Sequence, residues 1–174
     1  MAHGLAGLTP EASNQEDRPD QNELVEVEQN FLDQMAPVLA GLVDIWWNVR
    51  AANEPYRSAF PGLVEEGNIL MWFFLNKMSR QVMVEWSDEA ALTVSWLRSQ
   101  TAANPGSAQL RQLYNKLSDC PDFLAMYRNP GLVTSRHKPL MLLNTPNGLK
   151  VLNARLIPHP KDEELKIFIA TTVR

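Results

Sequence analysis

Val43-Asp44-Ile45-Trp46-Trp47-Asn48 is the stretch on which the fold turns. It closes a short segment, Pro37 to Asn48, rich in Val, Ile, Leu and Trp with Gly41 in its middle, a texture that suits two strand pieces joined by a turn or bulge. Strand alternation puts Val43, Ile45 and Trp47 on one face and Leu42, Asp44 and Trp46 on the other, so that Trp46 shares its side with a carboxylate. Asn48 stands where its side-chain oxygen would cap a following helix, Arg50 to Phe60, kinked or restarted at Pro55 and ended by Pro61-Gly62. All five tryptophans lie between Trp46 and Trp96.

Downstream, Ile69 to Val84 reads as helix with a break at Asn76, its first half apolar on every side and therefore buried all round. Ser87-Asp88-Glu89 supplies a cap and first-turn acids for a helix to about Ala103, with Leu92, Val94, Trp96 and Leu97 facing inward. Asn104-Pro105-Gly106 stops it. Ser107 opens a helix whose Leu110, Leu113, Tyr114 and Leu117 recur at i, i+3, i+4, i+7, and Pro121 starts a short one ended by Asn129-Pro130-Gly131. Strand texture follows in Val133 to Leu143, Leu149 to Pro158 and Leu165 to Val173, with Asn147-Gly148 favouring a hairpin because both residues tolerate positive φ. About five strands, with helices between the second and third, predict an α+β fold: an antiparallel sheet with helices on one face.

The order of these signals resembles one family. A β-run closing on Trp47-Asn48, a short helix, the Phe74-Leu75-Asn76 turn opening a helix that carries Arg80, and Trp86 ahead of a long amphipathic helix resemble the MmyB-like transcription-regulator ligand-binding domain. The resemblance covers residues 37 to 172 and implies a PAS-like sensor half, found behind a helix-turn-helix in bacterial regulators, whose suggested ligands are fatty acids or similar amphiphiles. Two departures stand out: Trp46 occupies a place that usually holds a small residue, and the usual His-Pro-x-x-Gly turn reads Asn144-Thr145-Pro146-Asn147-Gly148. No segment reads as a DNA-reading helix-turn-helix, so direct nucleic-acid binding is not expected of this chain.

Upstream, residues 1–19 read as a disordered acidic leader, rich in Gly, Pro, Asn and Gln with no periodic apolar face. Residues 20–36 form an amphipathic helix with the stripe Leu24, Val27, Phe31 and Met35, which docks either on the sheet or on a second copy of the chain, a homodimer being favoured. Residues 37–174 form the PAS-like domain. Charge divides accordingly: residues 1–35 hold eight acids against Arg18, a net of −7, and the remainder, with twelve acids and fifteen bases, is +3. Neither Arg136 with Lys138 nor Arg111 with Lys116 makes the basic stripe a nucleic-acid surface needs. The longest apolar run, Ile69 to Leu75, is seven residues where a membrane span takes about 20. The N-terminus lacks the pattern of a secretion signal, so a cytoplasmic location is the expectation.

Catalytic chemistry finds no foothold. His3, His137 and His159 are far apart, without partners at metal-ligand spacing, and read as exposed or capping residues; no metal or cofactor is expected. Cys120, the single cysteine, rules out an internal disulfide and reads as a small buried residue. Glu65-Glu66 and Glu163-Glu164 are sequence neighbours that point different ways. No nucleophile elbow, phosphate loop or zinc-helix motif is present.

What remains is an apolar constellation, Trp47, Met71, Phe73, Phe74, Met78, Met83, Trp86, Leu92 and Trp96, which either fills the gap between sheet and helices or lines a pocket there. Methionines repack around irregular apolar guests, and Asn48, Arg80 and Arg98 are polar candidates at such a pocket. For both arginines a surface salt bridge is the favoured role over a contact with a ligand carboxylate. The expected function is a non-enzymatic sensor domain that binds a small apolar or amphipathic ligand. Its alternative is a protein-interaction or dimerisation module with a filled core.

Overall fold

The computed structural model describes residues 20–129 and 139–174. The expected leader over residues 1–19, and the strand texture and basic pair placed between residues 130 and 138, lie outside them. An N-terminal helix α1 (Gln21–Gln34) precedes strands β1 (Leu39–Asp44) and β2 (Val49–Ala52). A helical layer follows: α2 (Glu54–Ala59), α3 (Leu63–Glu66), α4 (Ile69–Leu75), α5 (Lys77–Val82), α6 (Trp86–Ala103), α7 (Ala108–Leu117) and α8 (Pro121–Arg128). Strands β3 (Leu140–Thr145), β4 (Gly148–Pro158) and β5 (Leu165–Thr172) complete one antiparallel sheet of order β2-β1-β5-β4-β3. This is the expected α+β, five-stranded architecture. Among the described residues no helix is long and apolar enough to cross a membrane.

Local chemistry sets most of these boundaries. Ser107 caps α7 by accepting from the Leu110 amide, Pro121 opens α8, and Asn76 ends α4 and caps α5 through the Met78 amide, making the break expected there. Gly148, at φ 106°, turns the β3–β4 hairpin.

Several local expectations need correcting. Asn48 caps no helix: residues 49–52 pair with β1 as β2, and the cap of α2 is Asn53, which accepts from Tyr56 N. Pro55 lies in the first turn of α2, where the missing amide costs nothing, and so it does not kink the helix. Gly41 is no turn but the middle of a single strand; the irregularity falls between Leu42 and Val43, opposite Arg50. Helix α6 starts at Trp86, with no side-chain cap.

The two faces of the sheet do different work. Leu39, Gly41, Ala52, Phe168, Ala170, Leu152 and Met141 point to the helical layer and join the main core with Trp72, Tyr56 and Phe123. Ala40, Leu42, Ala51 and Leu165 point the other way and are covered by α1 through Leu24 and Leu32. Helix α1 therefore lies on its own sheet, with Val27 and Phe31 of its expected stripe outward at 61% and 52% exposure.

Polar contacts fix that helix in place. Gln29 pairs with both backbone groups of Ala52, and Asn53 Nδ2 donates to Leu32 O and Val38 O. His159, expected exposed or capping, is buried: its Nδ1 accepts from Lys161 N and its Nε2 lies 3.1 Å from Glu28 Oε1 on α1.

Candidate ligand-binding cavity

The strand β1 leaves the sheet at Asp44, and the next residues form a turn built around that buried carboxylate. Asp44 Oδ1 accepts from the amides of Trp46 and Asn48, and Oδ2 accepts from Asn48 Nδ2 and lies 3.5 Å from Arg50 Nη1. Charge-assisted bonds of this kind are stronger than neutral ones, and here they fold the chain back within four residues. Asn68 locks the turn from the helical side: it donates to Trp46 O and Asn48 Oδ1 and accepts from the first amides of α4.

The product is Trp47 at φ 65°, the one non-glycine residue in the left-handed region among the described residues. Such a conformation costs about 1 kcal/mol or more. Its indole packs on Trp96 of α6, with ring centroids 4.7 Å apart.

That indole lines a cavity of about 190 Å³ between sheet and helices. The floor is Met141, Ala154, Leu156 and Phe168 of the sheet; the walls are Tyr56 and Phe60, Leu63, then Ile69, Trp72 and Phe73 of α4, with Met83, and Leu92 of α6. Polar side chains among the lining residues are few: Tyr56, Glu89 and Thr93 of α6, and Arg155 of β4, which the strand register turns to the other face of the sheet. Thr93 Oγ1 is occupied, donating to Ala90 O. Arg155 and Leu156 are exposed and mark where the space meets solvent.

Tyr56 stands between two aromatic neighbours, Phe60 and Phe168, at 5.0 and 5.5 Å, and burial pushes its phenol well above the ordinary tyrosine pKa. Its approach to β1 requires Gly41, where a Cβ would meet the Tyr56 ring at 2.9 Å. An apolar space of this kind, with few polar groups, takes small molecules by burial and orients them by one or two hydrogen bonds. Among the described residues no three His, Cys, Asp or Glu side chains gather to hold a metal.

The residues singled out from sequence separate into four groups. Trp47, Phe73, Met83 and Leu92 line the cavity. Asn48 and Trp96 support the Trp47 turn, one through Asp44 and Asn68, the other by ring contact. Phe74 and Trp86 stand 5.6 Å apart in packed core, Phe74 also against Phe123, while the Trp86 N–H donates to Phe73 O and Ser79 Oγ; Met71 and Met78 are half-buried against that core. Arg80 lies over the Trp86 ring and pairs with Asp122, and Arg98 donates to the carbonyls of Met126, Tyr127 and Asn129 at the end of α8.

Sequence reasoning missed Tyr56, Phe60, Trp72 and the sheet residues. Alternation in β5 does put Phe168 opposite Ile167 and Ile169, but both faces of that strand are apolar, so nothing local says which one meets the cavity.

A family model, the MmyB-like transcription regulator ligand binding domain, matches residues 24–173. The chain belongs to this family. The match takes in α1 from Leu24 onward, so the MmyB-like domain includes the helix that covers the outer face of the sheet. A comparison with curated proteins finds no match. Membership makes this MmyB-like domain a regulator's ligand-binding unit, a class of sensor domains that is typically non-enzymatic.

Proposed function

We propose that the domain is a non-enzymatic cytoplasmic sensor that takes a small apolar or amphipathic ligand, such as a medium-chain fatty acid, into the cavity between the sheet and α6. The observation that carries this reading is the cavity itself: about 190 Å³ of space whose wall is almost entirely apolar, in a chain of a ligand-binding family. Interiors of ordinary packing leave few voids larger than a water molecule.

The test is a thermal melt with and without decanoic acid. At a ligand concentration of about ten times Kd, binding to the folded state adds about 1.4 kcal/mol, which raises Tm by about 3–6 °C in a domain of this size. Ala154→Leu, which fills the cavity from β4, is expected to abolish the rise. No rise with decanoic acid in the wild-type protein would remove the fatty-acid reading.

A second reading, a dimerisation module, is favoured by exposed apolar groups on the face away from the cavity. Val27 and Phe31 stand out from α1, and Ile157, paired with Ile167 on that same face, is 42% exposed. Concentration-dependent mass by light scattering separates the two readings, since a ligand cavity needs no second copy.

A further inference from the structure

The apolar wall of the cavity leaves the polar end of an amphipathic ligand to its rim, because a carboxylate buried without a partner is costly. Three arginines do not meet it there: Arg80 pairs with Asp122, Arg98 donates to the end of α8, and Arg155 points to the other face of the sheet. Lys166 is placed differently. It stands two residues before Phe168, a wall residue of the cavity, and alternation in β5 puts both side chains on the helical side of the sheet. Its partner across β4 is Pro158, which makes it the diagonal neighbour of Leu156, where the space meets solvent. Diagonal pairs of this kind lie within reach of long side chains. The Lys166 ammonium is 5.8 Å from the ring centroid of Trp96, and Trp96 packs at 4.7 Å on Trp47 of the cavity wall. Among the described residues Lys166 joins no salt bridge.

We propose that Lys166 is the carboxylate anchor of this cavity, holding the head of a medium-chain alkanoic acid at the rim while the tail lies between sheet and helices. The proposal rests on the sensor reading above and assigns the charged end of its ligand. Volume and charge agree on this orientation. A dry apolar cavity of about 150 Å³ in another protein holds benzene, so about 190 Å³ seats the distal part of a ten-carbon chain and leaves its head at the opening. Glu89, an acid of the wall, repels a carboxylate. It precedes Trp96 by seven residues on α6, about 10 Å along the helix at a rise of about 1.5 Å per residue. A head placed at the Trp96 end therefore meets the ammonium and stands off from the acid, and an ammonium–carboxylate hydrogen bond is stronger than a neutral one.

The experiment uses the full chain and two probes of equal chain length, decanoate, which carries the charge, and decan-1-ol, which does not. Affinities are read from tryptophan fluorescence for the wild type, for Lys166→Met, which keeps an unbranched stem and removes the charge, and for Lys166→Arg, which keeps the charge. Lys166→Met is expected to weaken decanoate by about three- to tenfold and decan-1-ol by less than about twofold, with Lys166→Arg close to the wild type. In the wild type, raising NaCl from about 0.05 to about 0.5 M should weaken decanoate relative to decan-1-ol, because a charge pair at the rim is screened. That readout stands even if a variant fails to fold. Equal losses for the two probes in Lys166→Met, a decanoate affinity indifferent to the variant and to salt, or binding of decan-1-ol alone overturns the anchor and leaves the sensor reading intact. Binding of neither probe overturns both.

Discussion

Gly41 has no room for a side chain, because the Tyr56 ring, a wall of the cavity, lies where its Cβ would be. Gly41→Ala is therefore expected to cost about 1–3 kcal/mol in urea unfolding and to displace Tyr56, weakening any ligand-dependent rise in Tm. Tyr56 itself sets an alkaline limit. Its phenol is held neutral in the folded protein by burial, so its contribution is fully present below the ordinary tyrosine pKa of 10.0 and is lost as pH rises above that value, where the unfolded chain ionises first. Unfolding free energy should fall by up to about 1.4 kcal/mol per pH unit above pH 10 on this account, and Tyr56→Phe should remove that component; equal slopes in both proteins would refute it. Asp44→Ala strips the acceptor from two amides and Asn48 Nδ2 at a site 2% exposed, with an expected loss of about 2–4 kcal/mol.

Helix α1 holds its place through one face. Leu32 is fully buried against Ala40, Leu42 and Leu165, so Leu32→Ala should destabilise by about 2–5 kcal/mol. Phe31→Ser, one residue away and facing outward, should change stability by less than about 0.5 kcal/mol. The pair of variants also separates the uses of the helix: if Val27 and Phe31 meet a second copy, serine at both positions lowers the mass seen by light scattering while the melt stays put. A mass unaffected by both changes shows that this outward stripe joins no partner. The short helices α4 and α5 carry a different logic. Asn76 ends one and begins the other, and it aims its Nδ2 at Glu66 Oε2, which turns what would be a single long helix into a corner that brings Phe73 to the cavity while Phe74 packs on Trp86.

For the whole molecule, charge argues against a direct role on nucleic acid. Residues 1–35 are −7 and the remainder only +3, so the chain is expected to retain no promoter duplex in a gel-shift assay at physiological salt; tight, sequence-dependent retention would contradict this. The starts of α7 at Ser107 and α8 at Pro121, the break at Asn76, the Asn147-Gly148 hairpin, the α+β class and the family were all legible in the sequence, because capping and turn chemistry act within about four residues and the order of such signals survives in one dimension. The reading failed first at Asn48. A residue competent to cap a helix was instead drawn into the Asp44 turn by Asn68, twenty positions on, a contact with no local trace. The same limit governs the candidate site. Nothing in the spelling of Trp47, Phe74, Trp86 and Trp96 distinguishes a ring that fills core from one that faces a void, since all four are apolar and near helices or strands. Only the tertiary structure decides it, because a cavity is what remains after Tyr56, Trp72 and Phe168, from three distant segments, have packed as closely as their shapes allow.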